Sequence, residues 1–283
     1  MKLKCATRAL DLSSCKVMGI INATPDSFSD GGRNLSTAKA VQSALQMIEQ
    51  GAEIIDIGGE SSRPGAESVT LEDELSRVIP VIKLLRSKSN IPISIDTVKP
   101  EVMRAAVAAG ADIINDISAL SAPGAIEVAK ESGAAVCLMH MQGKPQTMQE
   151  NPEYGDVVID VAEYLKQRIE NCVKAGIGTD QIILDPGFGF GKTTEHNYKL
   201  FAKLDSIVDM GYPVLVGVSR KSMIGNIIDK PVEQRLAGGL ALAANAVKFG
   251  AAIIRTHDVA ETCDACKVTM ELMKYYDQRG QSR

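Results

Sequence analysis

Asp96, Asn115 and Asp185 each close a predominantly apolar run, Ile91 to Ile95, Ile113 to Ile114 and Ile182 to Leu184. Polar side chains placed there point inward at the carboxyl ends of buried strands, where parallel sheets bind their ligands. One such acid alone reads as a satisfied structural group. Three neighbouring acids or amides suit a flat heterocycle with N–H donors along one edge. A second set is cationic. Arg63, Lys221, Arg255 and His257 follow other apolar runs in an acidic chain, and together they suit an anion of more than one charge. Asn22 offers an oxygen that suits Mg²⁺. Taken singly, any of these cations reads as a solvated surface charge. Asp116, Ser118 and Ser219 read better as ordinary caps after strands.

Covalent and zinc chemistry find no support, because no Ser-His-Asp, H-E-x-x-H or Cys-His-Asn arrangement occurs. The glycine-rich stretch Asp185-Pro186-Gly187-Phe188-Gly189-Phe190-Gly191-Lys192 invites a phosphate-loop reading. A Walker loop requires glycine where Pro186 stands, and the glycines also miss the G-x-G-x-x-G spacing. These glycines are expected instead to keep backbone clear of a flat ligand.

The elements that would position these groups are eight apolar runs, each followed by a polar break and a helical pattern. They are Val17 to Ile21, Ile54 to Ile57, Ile91 to Ile95, Ile113 to Ile114, Ala135 to Met139, Ile182 to Leu184, Val214 to Val218 and Ile253 to Ile254. Continuous apolar runs suit strands covered on both faces by helices. Ser36 is a cap candidate for a first helix ending at Gly51, and Thr70 for a second in which Pro80 is expected to introduce a kink. Pro100 suits the first turn of a third, ending at Gly110. Further helices are predicted over 123–132, 156–174, 195–210, 232–249 and 259–276. Eight strand-helix units in 283 residues predict an α/β fold, a TIM (β/α)8 barrel of one domain over 17–283, with residues 1–16 as a short N-terminal cap. A doubly wound open sheet is the rival; it would show fewer strands and a diagnostic glycine loop after the first.

Bulk properties narrow the function classes. With 45% hydrophobic residues and a net charge of −4, the chain can bury a large core and has no basic field for nucleic acid. The most apolar segment, Leu236 to Val247, is shorter than the ~20 residues that span a bilayer. Residues 1–16 carry charges throughout and lack the apolar core of a signal peptide, so a cytoplasmic protein is expected. Six scattered cysteines argue against a disulfide framework, and Cys263-x-x-Cys266, without a second pair, reads as packing rather than zinc. Residues 24–34 and 61–69 are rich in Gly, Ser, Pro and Asp and are candidate lids beside the site.

Eight blocks in order resemble the bacterial dihydropteroate synthases. They are Met18-Gly-Ile-Ile-Asn-Ala-Thr-Pro-Asp-Ser-Phe-Ser-Asp-Gly-Gly32, Gly58-Gly-Glu-Ser-Ser-Arg-Pro-Gly65, Ile93-Ser-Ile-Asp-Thr97, Ile113-Ile-Asn-Asp116, Leu138-Met-His-Met141, Leu184-Asp-Pro-Gly-Phe-Gly-Phe-Gly-Lys192, Gly217-Val-Ser-Arg-Lys-Ser222 and Ile254-Arg-Thr-His-Asp258. The resemblance implies a folate-synthesis transferase that joins (7,8-dihydropterin-6-yl)methyl diphosphate to p-aminobenzoate and is inhibited by sulfonamides. It implies that Asp96, Asn115, Asp185, Lys221, Met139 and Phe190 hold the pterin, with Asp96, Asp185 and Lys221 catalytic. Asn22 would bind Mg²⁺ and diphosphate, with Arg63, Arg255 and His257 on the leaving group. Phe28, Ser62, Arg63, Pro64, Phe190, Lys221 and Ser222 would surround p-aminobenzoate. It also implies a homodimer. Two positions depart from the family: Ser62 where Thr is common, and Thr256 where Val is frequent. A corrinoid-linked pterin methyltransferase and a non-enzymatic pterin-binding protein are the alternatives.

Overall fold

The computed structural model describes residues 1–23, 33–61, 65 and 68–276. Two short strands, β1 (Lys2–Lys4) and β2 (Ala9–Asp11), pair antiparallel as a hairpin. Eight parallel strands follow: β3 (Lys16–Asn22), β4 (Ile54–Gly58), β5 (Ile93–Asp96), β6 (Ile113–Asp116), β7 (Ala135–Met139), β8 (Ile182–Asp185), β9 (Leu215–Val216) and β10 (Ile253–Thr256). Their order is β8-β7-β6-β5-β4-β3-β10-β9. The two ends meet through the Leu184–Val214 bridge and the Leu184 N–H donated to the Pro213 carbonyl at 2.9 Å, which closes the barrel. All eight predicted strands are present and the chain adopts the predicted TIM barrel.

Strand alternation divides the apolar residues between two cores. Outward-facing Val17, Ile55, Ile57, Ile95, Ile114, Val136, Leu138, Leu184, Val216 and Ile254 pack under the helices. Inward-facing Met18, Ile54, Ile113, Ala135, Cys137, Ile183, Leu215 and Ile253 form a separate cluster with Leu3, Cys5 and Leu12. The hairpin therefore lies over the amino ends of the strands. It is fastened by Asp112, whose carboxylate pairs with Arg8 at 2.7 Å and Arg86 at 2.6 Å and accepts the Ile93 N–H at 3.0 Å.

The helices follow the predictions with instructive exceptions. Helix α2 (Leu71–Lys88) is capped by Thr70, whose hydroxyl accepts the Asp73 N–H at 3.1 Å, and Pro80 sits inside it without ending it. Helix α3 (Pro100–Ala109) opens on Pro100 and ends at left-handed Gly110. Helix α4 covers Ala125–Ser132, and α5 (Val157–Ala175) is capped by Asp156. Helix α1 begins at Arg33, so Ser36 lies inside it rather than capping it. The expected 195–210 helix is two, α6 (Thr194–Ala202) and α7 (Leu204–Val208), because Lys203 leaves helical geometry at φ −120° and ψ 27°. An additional short helix, α8 (Ser222–Ile228), precedes α9 (Leu236–Lys248); α10 covers Val259–Tyr276. Among the described residues no helix is long and apolar enough to cross a membrane. The candidate lids fall largely on 24–32, 62–64 and 66–67, outside the described residues.

Candidate active site at the barrel mouth

Register brings the predicted recognition groups together. Gly58 pairs with Asp96 and Asp96 with Asn115, while Asp185 pairs with Met139 two residues beyond the line Asn115–Cys137–Ile183, so Asp96, Asn115 and Asp185 ring the mouth at the carboxyl ends of β5, β6 and β8. Inside that ring lies a residue absent from the predicted set, Asp56, wholly buried on β4. Its Oδ2 accepts the Arg255 Nε at 2.7 Å and the Asn115 Nδ2 at 3.2 Å. Arg255 also donates through Nη2 to Asp96 at 2.8 Å. One guanidinium thus ties two carboxylates, and through Asp56 an amide, into a buried network. Arg255, expected beside the leaving group, belongs to this acid cluster. Burial opposes its charge, but Asp56 and Asp96 outweigh that and raise its pKa. With Nδ2 donating to Asp56, the carbonyl oxygen of Asn115 is the acceptor left to meet a ligand.

The electrostatics favour an electron-poor ligand edge. Burial pushes Asp96 up to about 7 against the pull of Arg255, and it raises Asp185 against the pull of Lys221. Lys221 is pushed down by burial to about 8 against the pull of Asp185. Buried ions are costly until a ligand supplies complementary charge or donors. A planar group with N–H donors, gaining positive charge during reaction, would do so. A cavity of about 600 Å³ opens beside Asp96, with Glu60, Met141, Lys144 and Tyr164 among its walls. Its rim at Glu60 is held by Lys99, which pairs with both Glu60 and Glu74.

The loop after β8 accounts for its glycines differently from the expectation. Gly187, Gly189 and Gly191 have φ of +68°, +79° and +58°. A Cβ on Gly187 would strike the His140 carbonyl, and one on Gly191 the Gln142 carbonyl. Close packing on the β7 loop, rather than clearance for a flat ligand, requires glycine here. The loop's backbone is also spent internally. Asp185 accepts the Gly187 N–H at 2.7 Å, Asn197 accepts that of Gly189 at 2.7 Å, and Tyr154 donates to the Gly191 carbonyl at 2.6 Å. The amides of Gly187, Gly189 and Phe190 are thereby taken from any phosphate. Phe190 is half-buried with the Lys221 ammonium 4.7 Å from its ring centre, and Lys221 donates to the Phe188 carbonyl.

His257 and Ser219 form a pair that residue order did not reveal. Ser219 Oγ lies 3.1 Å from His257 Nδ1 and accepts the His257 N–H at 3.2 Å. Ser219 thus orients a ring rather than only capping. Arg220 turns away to Asp258 at 2.5 Å. Thr256 accepts the Asp258 N–H at 3.1 Å, and the Thr262 hydroxyl lies 3.1 Å from its own; the Thr256 hydroxyl thus knits β10 to α10. Asn22 ends β3 opposite Gly58, and Ser222 opens α8, exposed. Phe28, Ser62, Arg63 and Pro64 lie outside the described residues.

His140, buried after β7, is a measurable reporter of the site's support. Burial, then the Lys192 ammonium, holds its pKa down to about 3. Unfolded histidine takes a proton below about pH 6.5, whereas folded His140 does not until far lower pH. Its contribution to stability is therefore present above that point and lost as pH falls, by up to about 1.4 kcal/mol per pH unit. Urea unfolding at about pH 6.5 and about pH 5 is expected to show a smaller loss in His140→Gln than in the parent. Equal losses would contradict a buried neutral His140.

A family model described as pterin binding enzyme matches residues 18–257. The dihydropteroate synthase of Escherichia coli K12 is 53% identical over 268 residues, covering 95% of each chain. The Yersinia pestis dihydropteroate synthase, solved as a sulfonamide drug complex, superposes with a TM-score of 0.92 at 47% identity, over 97% of this chain and 100% of that one. The Xanthomonas albilineans dihydropteroate synthase with 4-aminobenzoic acid gives a TM-score of 0.91 at 48% identity, over 96% and 98%.

Proposed function

The chain belongs to the dihydropteroate synthases of the pterin-binding enzyme family, and on that premise we propose how its barrel mouth joins (7,8-dihydropterin-6-yl)methyl diphosphate to p-aminobenzoate. The reaction breaks the carbon–oxygen bond to diphosphate, forms a carbon–nitrogen bond to the arylamine and frees the amine's proton. The observation that carries the site reading is the set Asp96, Asn115 and Asp185 at the carboxyl ends of neighbouring strands, with Lys221 and Phe190 beside it. The acids read the pterin's guanidine-like edge, and the Asn115 carbonyl accepts from a ring N–H. Met139, buried beside Asp185, forms part of the floor. Phe190, Lys221 and Ser222, together with Phe28, Ser62, Arg63 and Pro64, receive p-aminobenzoate, and sulfonamides compete there.

The path is SN1-like. Diphosphate departs toward Asn22, Arg63, His257 and Arg255, the last also bonded to Asp56 and Asp96, and leaves a delocalised pterin cation. Asp185, with Asp96 in support, stabilises that cation by preorganised charge, and no protein nucleophile is needed. Mg²⁺ is proposed at Asn22, where it would neutralise charge on the diphosphate. Among the described residues no cluster of three or more His, Cys, Asp or Glu is placed to hold a metal. The ion would therefore take most of its oxygens from diphosphate and water, as Mg²⁺ at phosphates commonly does.

The test is diphosphate release from the pterin diphosphate with Mg²⁺, with and without p-aminobenzoate. Release that requires, or is accelerated by, p-aminobenzoate and yields dihydropteroate is expected. Methyl transfer would favour a corrinoid-linked pterin methyltransferase, and binding without turnover a pterin-binding protein.

The chain is also proposed to work as a homodimer in the cytoplasm. All six cysteines are free thiols, which suits a reducing compartment. Helix α10 exposes Val268, Leu272 and Tyr275 at 69%, 53% and 59%, a stripe at helical spacing, and neighbouring α9 exposes Leu236. Such a stripe is costly in water and suits a self-complementary interface. Val268→Glu with Leu272→Glu is expected to halve the mass measured by light scattering. An unchanged dimer would place the interface elsewhere, and a monomeric parent would remove the proposal.

A further inference from the structure

Lys192, at the end of the glycine loop, is 2% exposed and has no carboxylate within bonding distance among the described residues. Its ammonium instead meets three neutral acceptors: His140 Nδ1 at 2.9 Å, the Gly187 carbonyl at 2.9 Å and the Phe190 carbonyl at 3.2 Å. Burying an unpaired ammonium is expensive, so the arrangement persists only where something requires it. The left-handed glycines turn the carbonyls of residues 187 and 190 toward one point, and a multivalent donor reaches both at once, adding to the Phe190 N–H that the Gly187 carbonyl accepts at 3.1 Å.

The segment spanned by those two carbonyls carries the site. Gly187 donates its N–H to Asp185 Oδ1 at 2.7 Å, Phe188 gives its carbonyl to Lys221, and Phe190 offers its ring to the same Lys221. On the reading of this mouth as the pterin site, we propose that Lys192 is a positioning residue for pterin capture. It locks the loop so that Asp185, Lys221 and Phe190 present one preformed surface. An apolar residue would take this donor from the Phe190 carbonyl and the His140 nitrogen and leave the Gly187 carbonyl with only the Phe190 N–H at 3.1 Å. A carboxylate-paired cation would spend its charge on that partner, whereas Lys192 among neutral acceptors still favours the ionised form of Asp185. Burial, opposed by Asp185, lowers its own pKa to about 7, in keeping with a cation that has no ion-pair partner.

The test measures calorimetric binding of the dihydropterin diphosphate to the full-length protein and to Lys192→Met and Lys192→Ala, with circular dichroism as the control for folding. The Met variant keeps the methylene bulk without the ammonium and is expected to bind about tenfold more weakly or worse, as for loss of one charged hydrogen-bond set. In the Ala variant n-propylammonium, which replaces the missing atoms, is expected to restore binding, whereas tetramethylammonium is not. A folded Met variant with parental affinity overturns the proposal. So does weakened binding that propylammonium leaves unchanged, which would assign Lys192 a purely structural part. Absence of binding by the unmodified protein would instead overturn the pterin reading on which the proposal rests.

Discussion

Replacing Asp185 with Asn is expected to lower kcat/KM for diphosphate release by about 100-fold or more, the size of effect seen when one preorganised charge is removed. The change is nearly isosteric. The Asn oxygen can still accept the Gly187 N–H now held at 2.7 Å, so the loop should keep its shape. Three consequences nevertheless act together. The negative charge facing Lys221 disappears, although that charge opposes the lysine's burial. An amide NH₂ faces the donor edge of the pterin, so one donor on each side goes unpaired. The cation formed as diphosphate leaves also loses its nearest counter-charge. Because the last effect exists only in the transition state, kcat should fall along with kcat/KM. Steady-state kinetics with both substrates varied would check this, and near-normal turnover would remove Asp185 from the mechanism.

Most of this site was legible because strand and chemistry share one signal. Asp96, Asn115 and Asp185 terminate apolar runs, and in a barrel the residue that ends such a run sits at the mouth. Asp56 escapes that reading, and Arg255 reads with the leaving group rather than with the acids, for one physical reason. Each lies within a strand, in Ile54-Ile55-Asp56-Ile57-Gly58 and Ile253-Ile254-Arg255-Thr256, where no turn marks a strand end. Alternation was the available signal, since Asp56 shares the inward face of Ile54 and a mid-strand acid on that face needs an inward cation. The glycine loop shows the opposite limit. Its departure from phosphate motifs was readable, but the reason for glycine lies in the His140 and Gln142 carbonyls, remote in sequence. Likewise Ser36 failed as a cap because Arg33 to Leu35 extend the helix, a boundary that local spacing fixes poorly.

The largest effect on stability is expected from Asp56→Ala, about 3–5 kcal/mol, because one partner of a buried ion pair would be removed while the other stays buried. Arg255 would keep only Asp96, and the Asn115 Nδ2 would lose the acceptor it now has at 3.2 Å. With no acceptor below, the Asn115 amide is free to invert and present N–H rather than carbonyl to the ligand. Pterin binding should therefore weaken beyond what lost stability explains. Asp56→Asn separates the two causes. Its amide oxygen can still accept from Arg255 and Asn115, and its NH₂ would replace Oδ1, a buried oxygen without a partner in the parent. An acceptor without a charge should then preserve the Asn115 orientation and much of the affinity while giving up part of the ion-pair stability. Urea unfolding with an unchanged m-value, paired with calorimetric pterin binding, distinguishes these outcomes. If Ala costs less than about 1 kcal/mol and leaves pterin affinity intact, Asp56 is neither the anchor of Arg255 nor the residue that turns the Asn115 carbonyl toward the substrate.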